Sequence, residues 1–370
     1  MGREQRIFLA ATRQNDGKTM ISVGLLTMLK QTNRSIGFIK PVGQKYVEVN
    51  GLKIDKDSFL AAKLLGIDDF HLKATNPIAV EEGFTERYLD GKFNPKGLID
   101  SIKSAYAECA RGKDIVIIEG TGHAGVGSVF DLNNAVVARI LKAPVILVTT
   151  GGIGKPIDEI MLNKAVFDKE GVKLAGVIIN KVMPEKMEKI RKYLIKGLNK
   201  HGIPLLGIIP YCESLMSCTM GQIKSALNLT VLHGTQYLDM VVKRRVVGAM
   251  FPHSALKYLK DCSLLITSGD REDLILSALN LAMSQNQGRT PSISGLILTG
   301  GIRPYPAIIS LIRNAPVPVL LSKYDTYTVA SRIHDLIVKI GDKDTHKIEI
   351  ARCLAEKYVD LRKVLSPAQN

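Results

Sequence analysis

Cysteine is scarce in this sequence, with five residues in 370, and an odd number of thiols argues against a disulfide framework. Cys212 and Cys218 form the one close pair, but their spacing is not that of a CxxC motif and no histidine pair lies near them. The seven histidines show no ligand spacing either. These absences disfavour a zinc site and favour reduced thiols in a cytoplasmic protein.

The sequence also lacks long apolar runs and a targeting segment. Its apolar runs fall well short of the roughly 20 residues that a membrane-spanning helix needs. The first residues lead into a strand of a few apolar residues, which is too short for the core of a signal peptide. Arg6 stands where a myristoylation signal needs serine or threonine. We therefore expect a cytoplasmic protein without a membrane partner.

Acidic residues are outnumbered, because 35 Asp and Glu face 50 Lys and Arg and the formal net charge is +15. This balance favours an anionic partner. The basic residues are nevertheless scattered, and no basic run is longer than Lys243, Arg244 and Arg245. Without a zinc finger, an RNP signature or a stripe of aromatic and basic residues, a nucleic-acid partner is not expected.

Short apolar runs alternate with amphipathic stretches between residue 7 and about residue 211. Parallel sheets covered by helices on both faces require this pattern. We predict a first domain at 1–212, a linker at 213–230 and a second, smaller α/β domain at 231–370. The second domain is expected to contain a strand at 246–251, a helix at 329–341 and a docked carboxy-terminal helix at 346–361. The strands predicted in the first domain are 7–11, 35–39, 114–118, 144–148, 174–179 and 205–209.

The sharpest motif is TRQNDGKT at residues 12–19, which fits the phosphate-binding pattern GxxxxGK[ST] except that Thr12 replaces the first glycine. A strand precedes the motif and a helical pattern follows it, so that backbone N–H groups and a helix amino terminus converge on an anion. Lys18 is then placed for the β and γ phosphates, and the Thr19 hydroxyl for Mg²⁺. The residues predicted to hold the nucleotide in this segment are Asn15, Asp16, Gly17, Lys18, Thr19 and Met20.

A second motif is the apolar strand at 114–118, which leads into Glu119 and a glycine-rich turn. In a P-loop site, the second Mg²⁺ anchor is a carboxylate at the carboxyl end of a neighbouring strand, acting directly or through water. The sequence therefore predicts Glu119 as a metal residue beside Thr19.

Several strand ends resemble those of dethiobiotin synthetases, in the same order, over about residues 5–212. The matching segments are KPV at 40–42, DKDS at 55–58, EG at 119–120, GVIINK at 176–181 and LLGIIPY at 205–211. The resemblance implies an ATP-binding domain with a P-loop NTPase-type parallel sheet flanked by helices, and a homodimer. It also implies catalytic roles for Lys18 and for Lys40, the substrate-side lysine of the family.

The resemblance assigns further residues at the metal and at the base. Asp57 would join Thr19 and Glu119 at Mg²⁺, although Asp55 or Asp57 is also placed to cap a helix at 58–65. A guanine-reading motif would need aspartate at Met183, which favours ATP over GTP. The residues assigned to the base side are Asn180, Lys181 and Pro210.

Departures from the synthetase pattern affect the substrate side. Ala11 and Arg13 stand where the family loop has a glycine and an acidic residue, and Gly43 and Gln44 replace a small Ser-Gly pair. The charge beside the reaction centre is thereby inverted. A diamine substrate is therefore poorly supported.

The segment GDRED at 269–273, followed by an apolar helix, resembles the DRTGG domain, a regulatory α/β module. A P-loop domain followed by a DRTGG domain is the arrangement of the amino-terminal regulatory region of long phosphotransacetylases, and we expect a free-standing form of it. Asp270 could cap the helix, while Arg271 pairs with a carboxylate or phosphate. An ordinary tight turn explains the spacing equally well. The candidate ligand residues of this domain are Asp270, Arg271 and Arg303.

Two functions follow from these motifs. The first is a Mg²⁺-ATP-binding sensor or regulator of a metabolic enzyme, with weak ATPase activity. The alternative is an ATP-dependent ligase that phosphorylates a carboxylate or carbamate, with Lys18 and Lys40 stabilising phosphoryl transfer. Glutamine-dependent amidotransferase action is discounted because Cys262 and Cys353 lack an elbow of small residues.

Overall fold

The computed structural model describes residues 4–284, 292–336, 339–342 and 344–366. The chain forms two compact units. Unit 1 comprises Met1–Cys212 and Lys339–Asn370, and unit 2 comprises Glu213–Val338. We call the last described part of unit 1, residues 339–342 and 344–366, the return segment.

The first part of unit 1 alternates strands and helices. Its strands are β1 (Gln5–Ala11), β2 (Ile36–Ile39), β3 (Val42–Gly43), β4 (Tyr46–Val49), β5 (Leu52–Asp55), β6 (Ile78–Ala79), β7 (Ile115–Glu119), β8 (Val145–Thr150), β9 (Leu174–Val182) and β10 (Leu205–Pro210). Its helices are α1 (Lys18–Lys30), α2 (Lys56–Leu65), α3 (Leu72–Thr75), α4 (Phe84–Leu89), α5 (Pro95–Ala110), α6 (Asn134–Ile140), α7 (Gly154–Lys169) and α8 (Met187–Asn199).

Within the described residues, unit 1 is built on a six-stranded sheet with the order β10-β9-β8-β1-β7-β2. All neighbouring strands of this sheet are parallel. The β7 strand is buried at every position, as are the last five residues of β1. Strands buried on both faces explain why their sequences are continuous apolar runs rather than alternating ones. The predicted parallel α/β fold is therefore confirmed.

Unit 2 has its own sheet. Its helices are α9 (Glu213–Met216), α10 (Met220–Leu227), α11 (Pro252–Ala255), α12 (Glu272–Met283), α13 (Pro306–Ile312) and α14 (Thr326–His334). Its strands are β11 (Cys218–Thr219), β12 (Thr230–His233), β13 (Val241–Val242), β14 (Arg244–Val247), β15 (Ser263–Ser268), β16 (Ile293–Thr299) and β17 (Val319–Leu321).

The described residues of unit 2 form a five-stranded sheet with the order β12-β17-β16-β15-β14. Strands β14 to β17 are parallel, and β12 pairs antiparallel with β17 at the edge. Along β15, Leu264 and Ile266 join a core cluster on one face, while Leu265 joins a cluster on the other. Side chains alternate across a strand, so both faces of this sheet are covered. The expected second, smaller α/β domain is confirmed.

The return segment carries α15 (Thr345–Tyr358) and α16 (Leu361–Leu365) and belongs to unit 1. A Cβ atom on Gly24 of α1 would lie 2.7 Å from Ala355 Cβ and 2.8 Å from the Ala351 carbonyl oxygen. Small residues therefore bring the α1 and α15 backbones close together. Val359 adds a bridge to Gly207 at the edge strand β10. The expectation that 346–361 docks within the second domain is wrong.

The structure corrects three other boundaries. The expected linker at 213–230 is wrong, because α9, β11, α10 and the start of β12 lie there within unit 2. The strand expected at 246–251 ends at Val247, since Pro252 begins α11 and lacks the N–H that a strand would use. The helix expected at 329–341 ends at His334, residues 337 and 338 lie outside the described residues, and 339–341 are not helical.

All five cysteines are free thiols, as expected. Cys218 and Cys262 are buried, Cys109 and Cys212 are half-buried, and Cys353 is exposed.

Candidate functional site

The motif at 12–19 lies at the carboxyl edge of the unit 1 sheet. It follows β1, which has β7 on one side and β8 on the other. The chain leaves β1 toward β2 on the β7 side, and later crosses from β7 to β8 on the opposite side. In open parallel sheets, ligands bind outside the carboxyl ends of the strands at such a switch of direction.

The loop backbone is held by the end of β9. Asn180 Nδ2 donates to the Asp16 carbonyl oxygen at 2.9 Å, and Lys181 Nζ donates to the Asn15 carbonyl oxygen at 2.7 Å. Gly17 has a φ of 102°, and a Cβ there would lie 2.1 Å from Asn180 Nδ2. The glycine is therefore required by both its conformation and its closeness to Asn180.

Helix α1 begins at Lys18, directly after this glycine. Within the described residues, no side chain caps its amino terminus and its first turn carries no acidic residue. The first N–H groups of a helix have no intrahelical partner, and they favour an anion. The loop therefore presents the arrangement that the sequence motif predicted.

The replacement of the first motif glycine by Thr12 is accommodated by a buried polar network that sequence reasoning missed. Thr12 Oγ1 lies 2.8 Å from Asp16 Oδ2 and 2.8 Å from Thr149 Oγ1. The Arg13 side chain forms an ion pair with Glu159 on α7. Glu159 neutralises the positive charge of Arg13, which departs from the synthetase pattern. The Asp16 side chain links two positions of the loop through its bond to Thr12. No local sequence signal connects positions 13 and 159.

Lys18 and Thr19 point to the loop after β7. Lys18 Nζ donates to the Gly122 carbonyl oxygen at 3.1 Å, and Thr19 Oγ1 lies 3.4 Å from Glu119 Oε1. Burial lowers the pKa of Lys18 to about 8, against the attraction of Glu119. Burial and the charge of Asp57 raise the pKa of the Glu119 carboxyl above its ordinary range. The structure thus brings Lys18, Thr19 and Glu119 together.

Lys40, at the end of β2, lies in a cluster of carboxylates. Its Nζ is 2.9 Å from Asp55 Oδ1 and 3.7 Å from Glu119 Oε1, and it also pairs with Asp57. Burial works to lower the pKa of Lys40, but the three carboxylates outweigh it and raise that pKa. The Lys40 side chain is 5% exposed. Its role as a substrate-side lysine stays a prediction.

Asp55 and Asp57 have different tasks in the fold. Asp55 caps α2, accepting from the Asp57 N–H, and its other oxygen accepts from the Gln44 and Lys45 N–H groups. Helix α2 therefore begins at Lys56, and not at the expected position 58. Asp57, in the first turn of α2, has its carboxylate directed to lysines.

Lys339 of the return segment is a second residue, besides Glu159, that sequence reasoning missed. Its Nζ lies 2.6 Å from Asp57 Oδ2, the oxygen that also pairs with Lys40. Although burial works to raise the pKa of Asp57, these lysines lower it. A contact between positions 282 residues apart leaves no pattern in a single sequence.

The oxygen-rich side of the site suits a small divalent cation. Mg²⁺ prefers hydroxyl, carboxylate, phosphate and water oxygens, and it is bound through one or two carboxylates beside substrate phosphates. Thr19 and Glu119 supply a hydroxyl and a carboxylate of this kind, whereas the Asp57 carboxylate is held by lysines. In the described part of the chain, no group of three or more His, Cys, Asp or Glu forms a metal site by itself. Further ligands would have to come from phosphate and water.

Comparisons with known proteins identify the domains of the chain. The family model described as AAA domain matches residues 5–219, which is more than half of the chain. The chain belongs to this AAA domain family. A second model, the DRTGG domain, matches residues 222–336. The predicted P-loop domain followed by a DRTGG domain is therefore confirmed.

Curated relatives carry the name phosphate acetyltransferase. That of Synechocystis sp. is 31% identical over 97% of this chain and 51% of its own length. That of Nitratidesulfovibrio vulgaris is 29% identical over 96% of this chain and 50% of its own length. The chain thus spans about half the length of the curated relatives it matches, in the arrangement expected from phosphotransacetylases.

Among solved structures, the MinC:MinD cell division protein complex of Aquifex aeolicus is similar, with a TM-score of 0.37 and 13% identity. That likeness covers 57% of this chain and 83% of the other, and it carries no functional argument. An AAA domain with a P-loop followed by a DRTGG domain fits a nucleotide-binding regulatory protein.

The remaining nucleotide candidates of the AAA domain lie on neighbouring strand ends, in the loop and in α1. Pro210 ends β10 in register with Val182 of β9, two residues after Asn180. Met20 is buried in the first turns of α1, and Asn15 is exposed with a φ of 68°. Asn180 therefore lies between the loop and the β10 end, and its contact with the base stays a prediction.

In the DRTGG domain, the candidate ligand residues lie in two neighbouring turns, since a Cβ on Gly269 would overlap the Ile302 carbonyl oxygen and the Tyr305 N–H donates to Glu272. Arg271 forms an ion pair with Asp273 at 2.9 Å and donates to the Met250 carbonyl oxygen at 3.1 Å. Asp270 does not cap α12 as expected, because Arg271 occupies the N-cap position and no described side chain caps that end. Asp270 and Arg303 are exposed.

No helix in the described parts of the chain is both long and apolar enough to cross a membrane.

Proposed function

We propose that this chain binds Mg²⁺-ATP at the carboxyl edge of the unit 1 sheet. We further propose that it acts as a nucleotide-dependent regulator of a metabolic enzyme, with weak ATPase activity. The observation that carries the proposal is the meeting of Lys18, Thr19 and Glu119 at an uncapped helix start whose first turn carries no acidic residue.

The described residues supply the contacts that a polyphosphate needs. The N–H groups of the loop and of the first turn of α1 would donate to phosphate oxygens. Lys18 would exchange the neutral Gly122 carbonyl for a phosphate oxygen, which forms a stronger, charge-assisted bond. Thr19 and Glu119 would hold Mg²⁺, which neutralises charge on the phosphates when bound.

ATP is favoured over GTP at the base. Met183 stands where a guanine-reading motif needs a carboxylate, and it is exposed after the end of β9. Asn180 keeps one amide hydrogen after its bond to the Asp16 carbonyl oxygen, so it has a donor left for a base.

The regulatory part of the proposal comes from the family. A DRTGG domain follows the nucleotide domain here, and the relatives named phosphate acetyltransferase are about twice as long. We infer from this order of domains that the nucleotide-bound state of the chain regulates a metabolic enzyme. A homodimer in the cytoplasm belongs to the same proposal, and light scattering of the purified chain measures its mass in solution.

The deciding experiment is calorimetric titration of the full chain with Mg²⁺-ATP and with Mg²⁺-GTP, followed by measurement of phosphate release on the same sample. Selective ATP binding with slow release is the expected result. Absence of nucleotide binding would overturn the proposal. Rapid release that depends on an added carboxylic acid would point to the ligase alternative, which the buried and fully paired Lys40 does not favour.

A further inference from the structure

Lys339 brings a charge into the site from the far end of the chain. In sequence it comes directly after Val338, the last residue of unit 2, and it is the first residue of the return segment. Its ammonium group lies 2.6 Å from Asp57 Oδ2. The same carboxylate pairs with Lys40, whose Nζ lies 3.7 Å from Glu119 Oε1. Lys339 is therefore close to the residues proposed to hold phosphate and Mg²⁺.

The lysines that pair with Asp57 differ in their access to a ligand. The Lys40 side chain is 5% exposed, whereas that of Lys339 is 34% exposed. Lys40 is held by three carboxylates, whereas Lys339 pairs with Asp57. Asp57 remains paired with Lys40 if Lys339 turns away. Exchange of Lys339 from Asp57 to an anion at the site thus leaves no buried carboxylate without a cation.

We propose that Lys339 is a ligand for the terminal phosphate of the bound nucleoside triphosphate. It leaves Asp57 Oδ2 for a phosphate oxygen when a triphosphate occupies the loop, and it returns when a diphosphate does. This inference rests on the nucleotide site proposed above. A lysine is suited to this exchange because its ammonium is a point charge on a flexible stem.

The fold connects Lys339 to the phosphate-binding helix α1. Lys339 opens the return segment, whose α15 packs directly on α1 at Gly24, Ala351 and Ala355. Helix α1 begins with Lys18 and Thr19. The start of the return segment and the phosphate-binding helix are thus linked both through packing and through Asp57. The presence of the terminal phosphate would therefore change the contacts of the first residue that follows unit 2.

The test compares Lys339→Met and Lys339→Arg with wild type by calorimetry, using Mg²⁺-ATP and Mg²⁺-ADP. Loss of a charge-assisted bond weakens ATP binding by about 10- to 30-fold, while ADP affinity stays within about twofold. Lys339→Arg keeps most of the ATP affinity. The matched control is Lys357→Met, which removes an exposed lysine from α15 of the same segment.

Different failures have different meanings. If wild type binds neither nucleotide, the proposed function fails, and this inference fails with it. If wild type binds ATP but Lys339→Met weakens ATP and ADP equally, or neither, the nucleotide site stands and the inference alone is overturned. An equal loss of ATP and ADP affinity would show that Lys339 only holds the return segment in place.

A second measurement uses the unaltered chain, so it does not depend on the folding of a variant. Amine acetylation followed by mass spectrometry reports the reactivity of Lys339 without nucleotide, with Mg²⁺-ADP and with Mg²⁺-ATP. The expected result is stronger protection of Lys339 by ATP than by ADP, with Lys103 on α5 unaffected as an exposed internal reference. Equal protection by both nucleotides would overturn the proposal.

Discussion

Each unit places a glycine-containing turn and a helix after a strand of a parallel sheet, but the two helix starts differ in charge. Helix α1 follows Gly17 and has no acidic residue in its first turn. Helix α12 follows the turn at 269–271 and has Glu272 and Asp273 in its first turn. Glu272 also accepts from the Tyr305 N–H at 3.1 Å. The positive end of α12 is thus complemented by its own carboxylates, whereas that of α1 is not.

The charged residues around the two helix starts also differ in origin. At α1, the charges come from distant parts of unit 1, with Lys40, Lys339, Asp57 and Glu119 buried or half-buried together. At α12, Arg271 pairs with a residue two positions away. The comparison shows that a strand, a glycine turn and a helix do not define an anion site by themselves. The charges that the rest of the fold places around the turn decide whether an anion binds there.

Lys18→Met gives the largest expected effect. It removes the cation at the start of α1 and keeps the length of the side chain. Loss of a charge-assisted contact to phosphate predicts about 100-fold weaker Mg²⁺-ATP binding in calorimetry. Lys103→Met, at an exposed position on α5, is the matched control and should bind as wild type does. Undiminished affinity in Lys18→Met would remove the basis of the comparison.

A pair of glycine substitutions compares the turn before α1 with another turn of unit 2, the one that follows β16. Gly17→Ala forces a Cβ to within 2.1 Å of Asn180 Nδ2 at a φ of 102°, so the loop must leave its conformation. Strain of this kind predicts about 30-fold weaker ATP binding. Gly301 in unit 2 also has a positive φ, of 69°. In Gly301→Ala, however, the nearest neighbour of the added Cβ would be Lys323 Cα at 3.9 Å.

Gly301→Ala should therefore cost about 1 kcal/mol of unfolding free energy from its backbone conformation alone. Its ATP affinity should equal that of wild type. Thermal melting and calorimetry on both variants separate the effects. Similar losses of ATP affinity in the two variants would show that the turns are equivalent.

Thr19→Val tests the metal side of the α1 site. The substitution keeps the shape of the side chain and removes the hydroxyl that lies 3.4 Å from Glu119. We expect about tenfold weaker ATP binding in the presence of Mg²⁺ and unchanged binding in EDTA. Thr27→Val, in the same helix, removes a hydroxyl that donates to the Val23 carbonyl and should change neither value. A loss that persists in EDTA would contradict the assignment of Thr19 to the metal.

The fold could be predicted from the sequence where local rules decide it. Buried parallel strands must be continuous apolar runs, so the sequence predicts all six strands of the unit 1 sheet. The assignment of α15 failed for the opposite reason. Its apolar spacing predicts a helix, but contacts between distant positions, such as the close fit of Ala351 and Ala355 against Gly24, determine which unit it joins.

The candidate site likewise contains residues that local motifs predict and residues that they do not. The roles expected of Lys18, Thr19 and Glu119 come from a motif that is contiguous or ends a strand, and the structure brings these residues together. Glu159 and Lys339 could not be predicted, because their contacts with Arg13 and Asp57 join distant positions. The open choice between Asp55 and Asp57 needed three-dimensional hydrogen bonds to show that Asp55 is the cap.

Asp273→Asn should have the smallest effect and tests the comparison from the side of unit 2. The substitution removes a carboxylate from the first turn of α12, which makes that helix start more like α1. The pair between Arg271 and Asp273 is exposed, and such pairs contribute about 0–1 kcal/mol, so thermal melting should change little. Calorimetry should show ATP affinity and stoichiometry unchanged, because no buried lysine cluster surrounds Arg271 among the described residues. A second ATP site in Asp273→Asn would mean that the carboxylates of α12 alone keep an anion away, and that the two turns differ by local charge instead of by the charges the fold assembles around them.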